Sequence, residues 1–273
     1  MKNEKSNYVV IFNGFNEHDE YAKKNYTLKP PSKIHNFLEL EKNHFEVQAI
    51  KAIIRKYQKM LKENGFNIFF DPDISRIHIT TKKEYREKID KNNSGKFQWG
   101  DIYVFRSDNK SYFIGSLVHQ LAHMLSYYEI AVTKSASGSF GLESKQSGIH
   151  KTDRSLKLDD FLGLNEALAE TITRDICHRL CENNVLLNDE ETLKLLGGMS
   201  YQNHIKMVNV ITANKHEDKQ KTMMIFLHSF IFGDEEFLNT LTLTAEQLQK
   251  LKEVGRGEEE AKNFITFLTE GAN

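Results

Sequence analysis

The sequence predicts an α+β fold with more helix than strand. Long stretches of the chain place apolar residues three or four positions apart, which is the spacing of amphipathic helices. Residues 101–106 instead alternate Ile102 and Val104 with Tyr103 and Phe105, and because both sets are apolar we expect a strand that is covered on both faces. The composition, with 39% hydrophobic and 27% charged residues, is that of a globular protein.

The first 65 residues predict an irregular leader followed by one long helix. Residues 1–35 show no sustained pattern, whereas residues 35–63 carry apolar side chains at helical spacing until Asn64-Gly65 ends the helix. Short strands are then expected at residues 66–70, 74–80 and 101–106.

The remainder of the chain is predicted to be mainly helical. The Ser-, Gly- and Lys-rich residues 133–158 interrupt it, and they predict a long loop with at most one short strand. We therefore divide the chain into a leader with its helix (1–65), a core (66–183) and a helical C-terminal part (184–273). Helices are expected at residues 112–130, 161–183, 189–196, 200–213, 220–232, 234–240, 244–254 and 258–269.

Charge and cysteine content exclude several classes of function. The chain has 37 basic and 38 acidic residues, so its net charge of −1 produces no field that would attract nucleic acid or an anionic membrane. The apolar run Tyr8–Phe12 is too short for the core of a signal peptide, and no apolar stretch reaches the roughly 18 residues of a membrane span. Cys177 and Cys181, four positions apart, offer no disulfide framework. We expect a cytoplasmic protein without nucleic-acid or membrane partners.

Two histidines on the helix that begins near residue 112 point to a metal. His119 and His123 are four positions apart, so both imidazoles project from one face of the helix. Zn²⁺ binds histidine nitrogen at about 2.0–2.1 Å, and neighbouring helical turns supply two such ligands without strain. Two histidines at this spacing also occur without any metal, so the pair alone is a weak signal.

A second helix supplies two carboxylates at the same spacing. Glu166 and Glu170 stand between apolar neighbours, and two carboxylates stacked on one solvated face repel each other. A cation held between this face and the histidine face removes the conflict, with Glu166 as a ligand of the metal. Glu170 would then accept the remaining N–H of a ligand histidine and fix its tautomer. The alternative is an ordinary solvated acidic face.

Together, the two segments resemble the gluzincin group of zinc metallopeptidases, the thermolysin-like clan, in its small bacterial and archaeal forms. That group carries H-E-x-x-H on one helix and N-E-x-x-x-D/E on a later helix. The resemblance covers residues 74–213 and implies a zincin-like domain with a small mixed sheet, one Zn²⁺ ion, and a peptide or protein substrate. It also implies that an edge strand binds the substrate backbone, and the matching residues are Asp101, Ile102, Tyr103, Val104 and Phe105.

One position departs from the family pattern. Gln120 follows His119 where the family has the glutamate that deprotonates the metal-bound water. A glutamine amide has nearly the same shape but cannot accept that proton, so the chain with Gln120 is expected to bind metal and to be inactive. We favour an engineered exchange of glutamate for glutamine; the alternative is a natural pseudo-peptidase that acts as a zinc-stabilised binding module. A helical protein without any metal is the third interpretation.

A peptidase also needs a donor for the oxyanion that forms on the scissile carbonyl. In gluzincins this donor is a histidine or tyrosine that follows the third ligand. Tyr201 and His204, three residues apart at the start of a predicted helix, are the candidates. Each could equally be a capping or surface residue.

Overall fold

A computed structural model of the chain confirms the mixed α+β class. The structure describes residues 8–13, 36–134, 140–153, 158–182, 186–197, 201–213, 219–241 and 243–270. The strands are β1 (Tyr8–Asn13), β2 (Ile77–Thr80), β3 (Gly95–Gln98), β4 (Asp101–Phe105), β5 (Tyr128–Lys134), β6 (Phe140–Ser147), β7 (His150–Asp153) and β8 (Leu158–Asp160). The α-helices are α1 (His44–Glu63), α2 (Lys82–Lys88), α3 (Lys110–Leu125), α4 (Leu162–Cys181), α5 (Asp189–Gly197), α6 (Gln202–Ala213), α7 (Lys219–Phe232), α8 (Ala245–Lys252) and α9 (Glu258–Glu270).

The chain divides into two compact units. The first unit is formed by Met1–Glu4, Lys29–Leu125 and Ile172–Met199, and the second by Lys5–Leu28, Ser126–Thr171 and Ser200–Asn273. Among the described residues, every helix is too short or too polar to traverse a lipid bilayer.

The first unit contains a three-stranded sheet in which β4 is the central strand. The strand order is β2-β4-β3, with β2 parallel and β3 antiparallel to β4. The expectation that residues 101–105 form an edge strand is therefore wrong. All five residues are buried and the backbone pairs on both sides, so β4 has no edge that could accept a substrate strand. The doubly apolar pattern of this segment reflects its central position.

Helix α1 of the first unit begins at His44, nine residues later than the predicted start at residue 35. Asn43 caps it: the Asn43 side chain accepts a hydrogen bond from the Glu46 amide at 2.9 Å, and the Asn43 amide donates to the Glu46 carboxylate at 2.8 Å. This reciprocal pair satisfies two amide groups that a helix start would leave unpaired. The residues before it run along β2, with the Leu40 amide donating to the Ile79 carbonyl at 2.8 Å.

A buried histidine on β2 lies between two carboxylates. His78 is 4% exposed. Its Nδ1 is 3.0 Å from Glu39 Oε1, and its Nε2 is 3.8 Å from Asp101 Oδ1. The ring stacks on Tyr103, and Arg76 donates to the same Asp101 oxygen at 2.8 Å. Burial alone would lower the pKa of His78, but the two carboxylates outweigh it and raise the pKa above the ordinary 6.5.

We expect this cluster to make stability depend on pH. Because the pKa of His78 is higher in the folded state, its charge stabilises the protein fully below about pH 6.5, and this contribution is lost as pH rises through the folded pKa. Urea unfolding between about pH 5.5 and pH 8.5 should therefore show a decline in stability that is smaller in His78→Gln. An identical slope in the two proteins would contradict the assignment.

The second unit contains a five-stranded sheet that was not expected from the sequence. Its order is β1-β5-β6-β7-β8, with β1 parallel to β5 and every later pair antiparallel. Strand β1 lies in the leader that we expected to be irregular, and β5 begins where the predicted helix 112–130 was expected to continue. Within the expected loop 133–158, residues 140–147 form β6 and residues 150–153 form β7, whereas residues 135–139 and 154–157 lie outside the part of the chain that the structure describes.

Most of the other predicted elements agree with the structure apart from their ends, and one is absent. The predicted strand at 66–70 is wrong, since these residues are irregular, and residues 74–76 form a 3-10 turn before β2. The predicted segment 234–240 is a 3-10 helix, Glu235–Thr240. Helices were predicted correctly, to within about two residues at most ends, at α4, α5, α6, α7, α8 and α9.

Candidate metal centre

Helix α3 presents His119 and His123 from one face. The two Nε2 atoms are 3.2 Å apart, and the rings meet edge to face with centroids 4.9 Å apart. The opposite flank of the helix is fully buried and includes Leu117, Val118 and Leu121. The hydroxyl of Tyr57 on α1 donates to the Val118 carbonyl at 2.7 Å and so fixes the helix next to His119.

The separation of the two nitrogens suits a shared metal ion. Two nitrogens bound at about 2.05 Å with a tetrahedral angle between them are about 3.3 Å apart. The observed 3.2 Å is close to this value, although an N–H···N hydrogen bond between the rings has a similar length. A third ligand is therefore needed to favour the metal.

Gln120 follows His119 on helix α3, and its side chain is held against strand β3. It is 7% exposed. A Cβ atom placed on Gly95 would lie 2.7 Å from the Gln120 Cγ atom, so the bare glycine is what allows this close approach. A glutamate is isosteric with glutamine, so it could occupy the same space beside Gly95.

Helix α4 buries both of its predicted glutamates. Glu166 is 5% exposed and Glu170 is 3% exposed, so the alternative of a solvated acidic face is wrong. The neighbouring apolar residues on the helix are fully buried as well: Leu164, Ala167 and Leu168. Buried carboxylates are costly unless a cation or hydrogen-bond donors compensate them. The predicted hydrogen bond from a ligand histidine to Glu170 stays a prediction.

Arg256, in the turn between α8 and α9, provides such a cation for Glu166. Its Nη2 atom donates to Glu166 Oε1 at 2.9 Å. Sequence patterns gave no sign of this residue, because it lies 90 positions from its partner and belongs to no motif. The only unusual feature of the sequence around Arg256 is a glycine on each side.

Tyr201 and His204 both contribute to this part of the second unit, but in different ways. His204 is completely buried, and its Nε2–H donates to the Gly255 carbonyl at 2.8 Å. Tyr201 is half-buried, adopts a positive φ of 62°, and meets the His204 ring edge to face. Burial and the negative charge of Glu166 raise the pKa of Tyr201, so its hydroxyl keeps its proton at neutral pH.

The predicted ligand atoms form a group that could hold a metal. One nitrogen of His119, one nitrogen of His123 and one carboxylate oxygen of Glu166 all lie within 4.8 Å of one another. Two imidazole nitrogens and one carboxylate oxygen are also a donor set that catalytic zinc sites use, with a fourth position left for water.

The geometry of these side chains is the basis for assigning a function. No family model, no curated protein and no solved structure matches the chain.

Proposed function

We propose that the protein binds one Zn²⁺ ion through His119, His123 and Glu166, in the manner of a zinc metallopeptidase. The observation that carries the proposal is the grouping of these three ligand atoms within 4.8 Å. The burial of Glu166 and the 3.2 Å between the histidine nitrogens support it, because both fit a site that is prepared for a divalent cation.

The roles of the surrounding residues follow from their chemistry. Zinc bound in such a site lowers the pKa of a bound water toward about 7 and polarises a carbonyl group. Gln120 would orient the water by hydrogen bonding but cannot remove its proton. Tyr201, which keeps its proton, is the proposed donor to the oxyanion; His204 suits this role less well, because its Nε2–H is committed to Gly255.

The proposed substrate class is a peptide or a protein, as the resemblance implies. Strand β4 is no longer part of this proposal, because its backbone pairs on both sides. With Gln120 in place, the chain is proposed to bind such a substrate without cleaving it. A zinc-stabilised binding module is the second candidate, and the buried Gln120 favours it, since an amide at this position cannot act as a base.

Zinc binding by the purified protein tests the metal site. Metal-free protein that is incubated with zinc and separated from free metal should retain one ion per chain, measured by atomic absorption. His123→Ala and Glu166→Ala should each lose this ion, because two remaining ligands hold zinc weakly. His178→Ala is the matched control, since His178 is exposed on α4 and should not affect the stoichiometry.

Two results would contradict the proposal. The first is wild-type protein that retains no zinc although its circular dichroism shows it to be folded. The second is full retention of zinc by both ligand variants.

A further inference from the structure

Arg256 and the proposed metal would use the same carboxylate. We propose that Arg256 is a positioning residue that acts as the counter-ion of Glu166 when the site holds no metal and competes with the metal for this ligand. The competition rests on the proposed function, because it requires a metal at Glu166. The counter-ion role in metal-free protein depends only on the contact between Arg256 and Glu166 in the second unit.

The burial of Glu166 explains why a counter-ion is needed. Glu166 is 5% exposed, and an ionised carboxylate at such a position costs much free energy unless a cation neutralises it. The Arg256 side chain is 57% exposed, so it reaches Glu166 from the surface and has room to withdraw. Burial by itself would lower the pKa of Arg256, but the negative charge of Glu166 outweighs it and raises the pKa.

The backbone that carries Arg256 is fixed from several sides. The Gly163 amide at the start of α4 donates to the Val254 carbonyl at 2.7 Å. The Gly255 amide donates to Glu260 at 2.7 Å, and His204 donates to the Gly255 carbonyl. A Cβ on Gly163 would lie 2.4 Å from the Gly255 carbonyl oxygen, so the two backbones are in close contact. The backbone of the turn is therefore held in place, while the exposed Arg256 side chain keeps the freedom to leave Glu166.

Electrostatics gives the direction of the effect on metal binding. A guanidinium hydrogen-bonded to a ligand carboxylate repels a divalent cation on that ligand and draws negative charge away from it. Removing the guanidinium should therefore strengthen metal binding. General damage to the fold would weaken metal binding, so the sign of the change separates competition from a purely structural role.

Zinc affinity of three variants tests the competition. A titration against a chromophoric chelator should show that Arg256→Gln binds zinc about tenfold more tightly than wild type, the size typical of one coupled charge near a site. Arg256→Lys keeps the charge and should bind zinc about as wild type does. Arg179→Gln is the matched control, because Arg179 pairs with Glu63 and Asp175 and should leave zinc affinity unchanged.

Thermal unfolding of metal-free protein tests the counter-ion role independently of metal binding. Arg256→Gln should lower the melting temperature of metal-free protein, and the loss should vanish in the Glu166→Gln background, where no buried charge needs a partner. Unchanged or weaker zinc binding by Arg256→Gln would overturn the competition. If Arg256→Gln lowers the melting temperature as much in the Glu166→Gln background as in the wild type, the counter-ion role is overturned. If the wild type binds no zinc, the proposed function and the competition fail together, while the metal-free cycle still decides the counter-ion role.

Discussion

Gln120→Glu is expected to convert the zinc-loaded protein into a peptidase. A positioned general base contributes roughly 10²–10⁴-fold to a hydrolysis rate, and glutamate would supply it at a position where glutamine cannot accept a proton. The two side chains have nearly the same shape, so the space beside Gly95 that holds Gln120 should hold the glutamate equally well. Hydrolysis of a mixed peptide library, followed by mass spectrometry, measures the change.

Two controls define the meaning of this experiment. Gln120→Ala should remain inactive while it retains zinc, because alanine can neither orient water nor accept a proton. Gln120→Glu combined with Glu166→Ala should lose the gained activity together with the metal. If Gln120→Glu protein retains one zinc per chain and cleaves no peptide in the library, the peptidase proposal is wrong and the binding module replaces it.

Gly148→Ala is expected to destabilise the second unit by about 2–5 kcal/mol, the sum of a backbone cost and a packing cost. Gly148 lies in the turn between β6 and β7 with φ of 59°, a conformation that costs other residues roughly 1–2 kcal/mol. A Cβ there would also lie 2.2 Å from Asn165 Oδ1 and 3.0 Å from Phe230, and such overpacking costs a further ~1–3 kcal/mol. Asn165 is 2% exposed and accepts a hydrogen bond from the Ile149 amide, so it cannot move freely.

Gly65→Ala separates the two causes. Gly65 follows α1 with φ of 74°, but a Cβ atom added to it would have no atom within 4 Å, so only the backbone cost of about 1–2 kcal/mol applies. Urea unfolding of both variants gives the comparison. Equal losses in the two proteins would show that the contact with Asn165 adds nothing.

The proposed metal ligands could be singled out in the sequence because their signals are local. The spacing of His119 and His123, and the place of Glu166 within its helix, depend only on the helical repeat, which short stretches of sequence display. The start of α1 was also available in principle, since Asn43 followed by Glu46 has the pattern of a capping pair. The apolar residues before Asn43 concealed it, because their spacing also fits a helix.

The remaining features depend on contacts between distant parts of the chain. Residues 101–105 were predicted correctly as a strand, but their position in the sheet follows from pairing with β2 and β3, and local alternation does not encode the order of strands. Arg256 gave no signal for a related reason, because its partner Glu166 lies 90 positions away. The meander at β6 and β7 was missed because residues 133–158 are rich in serine, glycine and lysine, a composition that is also typical of loops.

The hydrogen bond from His204 to Gly255 affects how a mutation at this histidine should be interpreted. An alanine scan of the Gln120→Glu protein that finds an inactive His204 variant would suggest an acid–base catalyst to anyone guided by residue type. The imidazole instead supports the backbone next to Arg256, so its removal acts first on the surroundings of Glu166. Inactivation at this position would therefore report disturbed surroundings of Glu166 rather than the loss of an acid–base group.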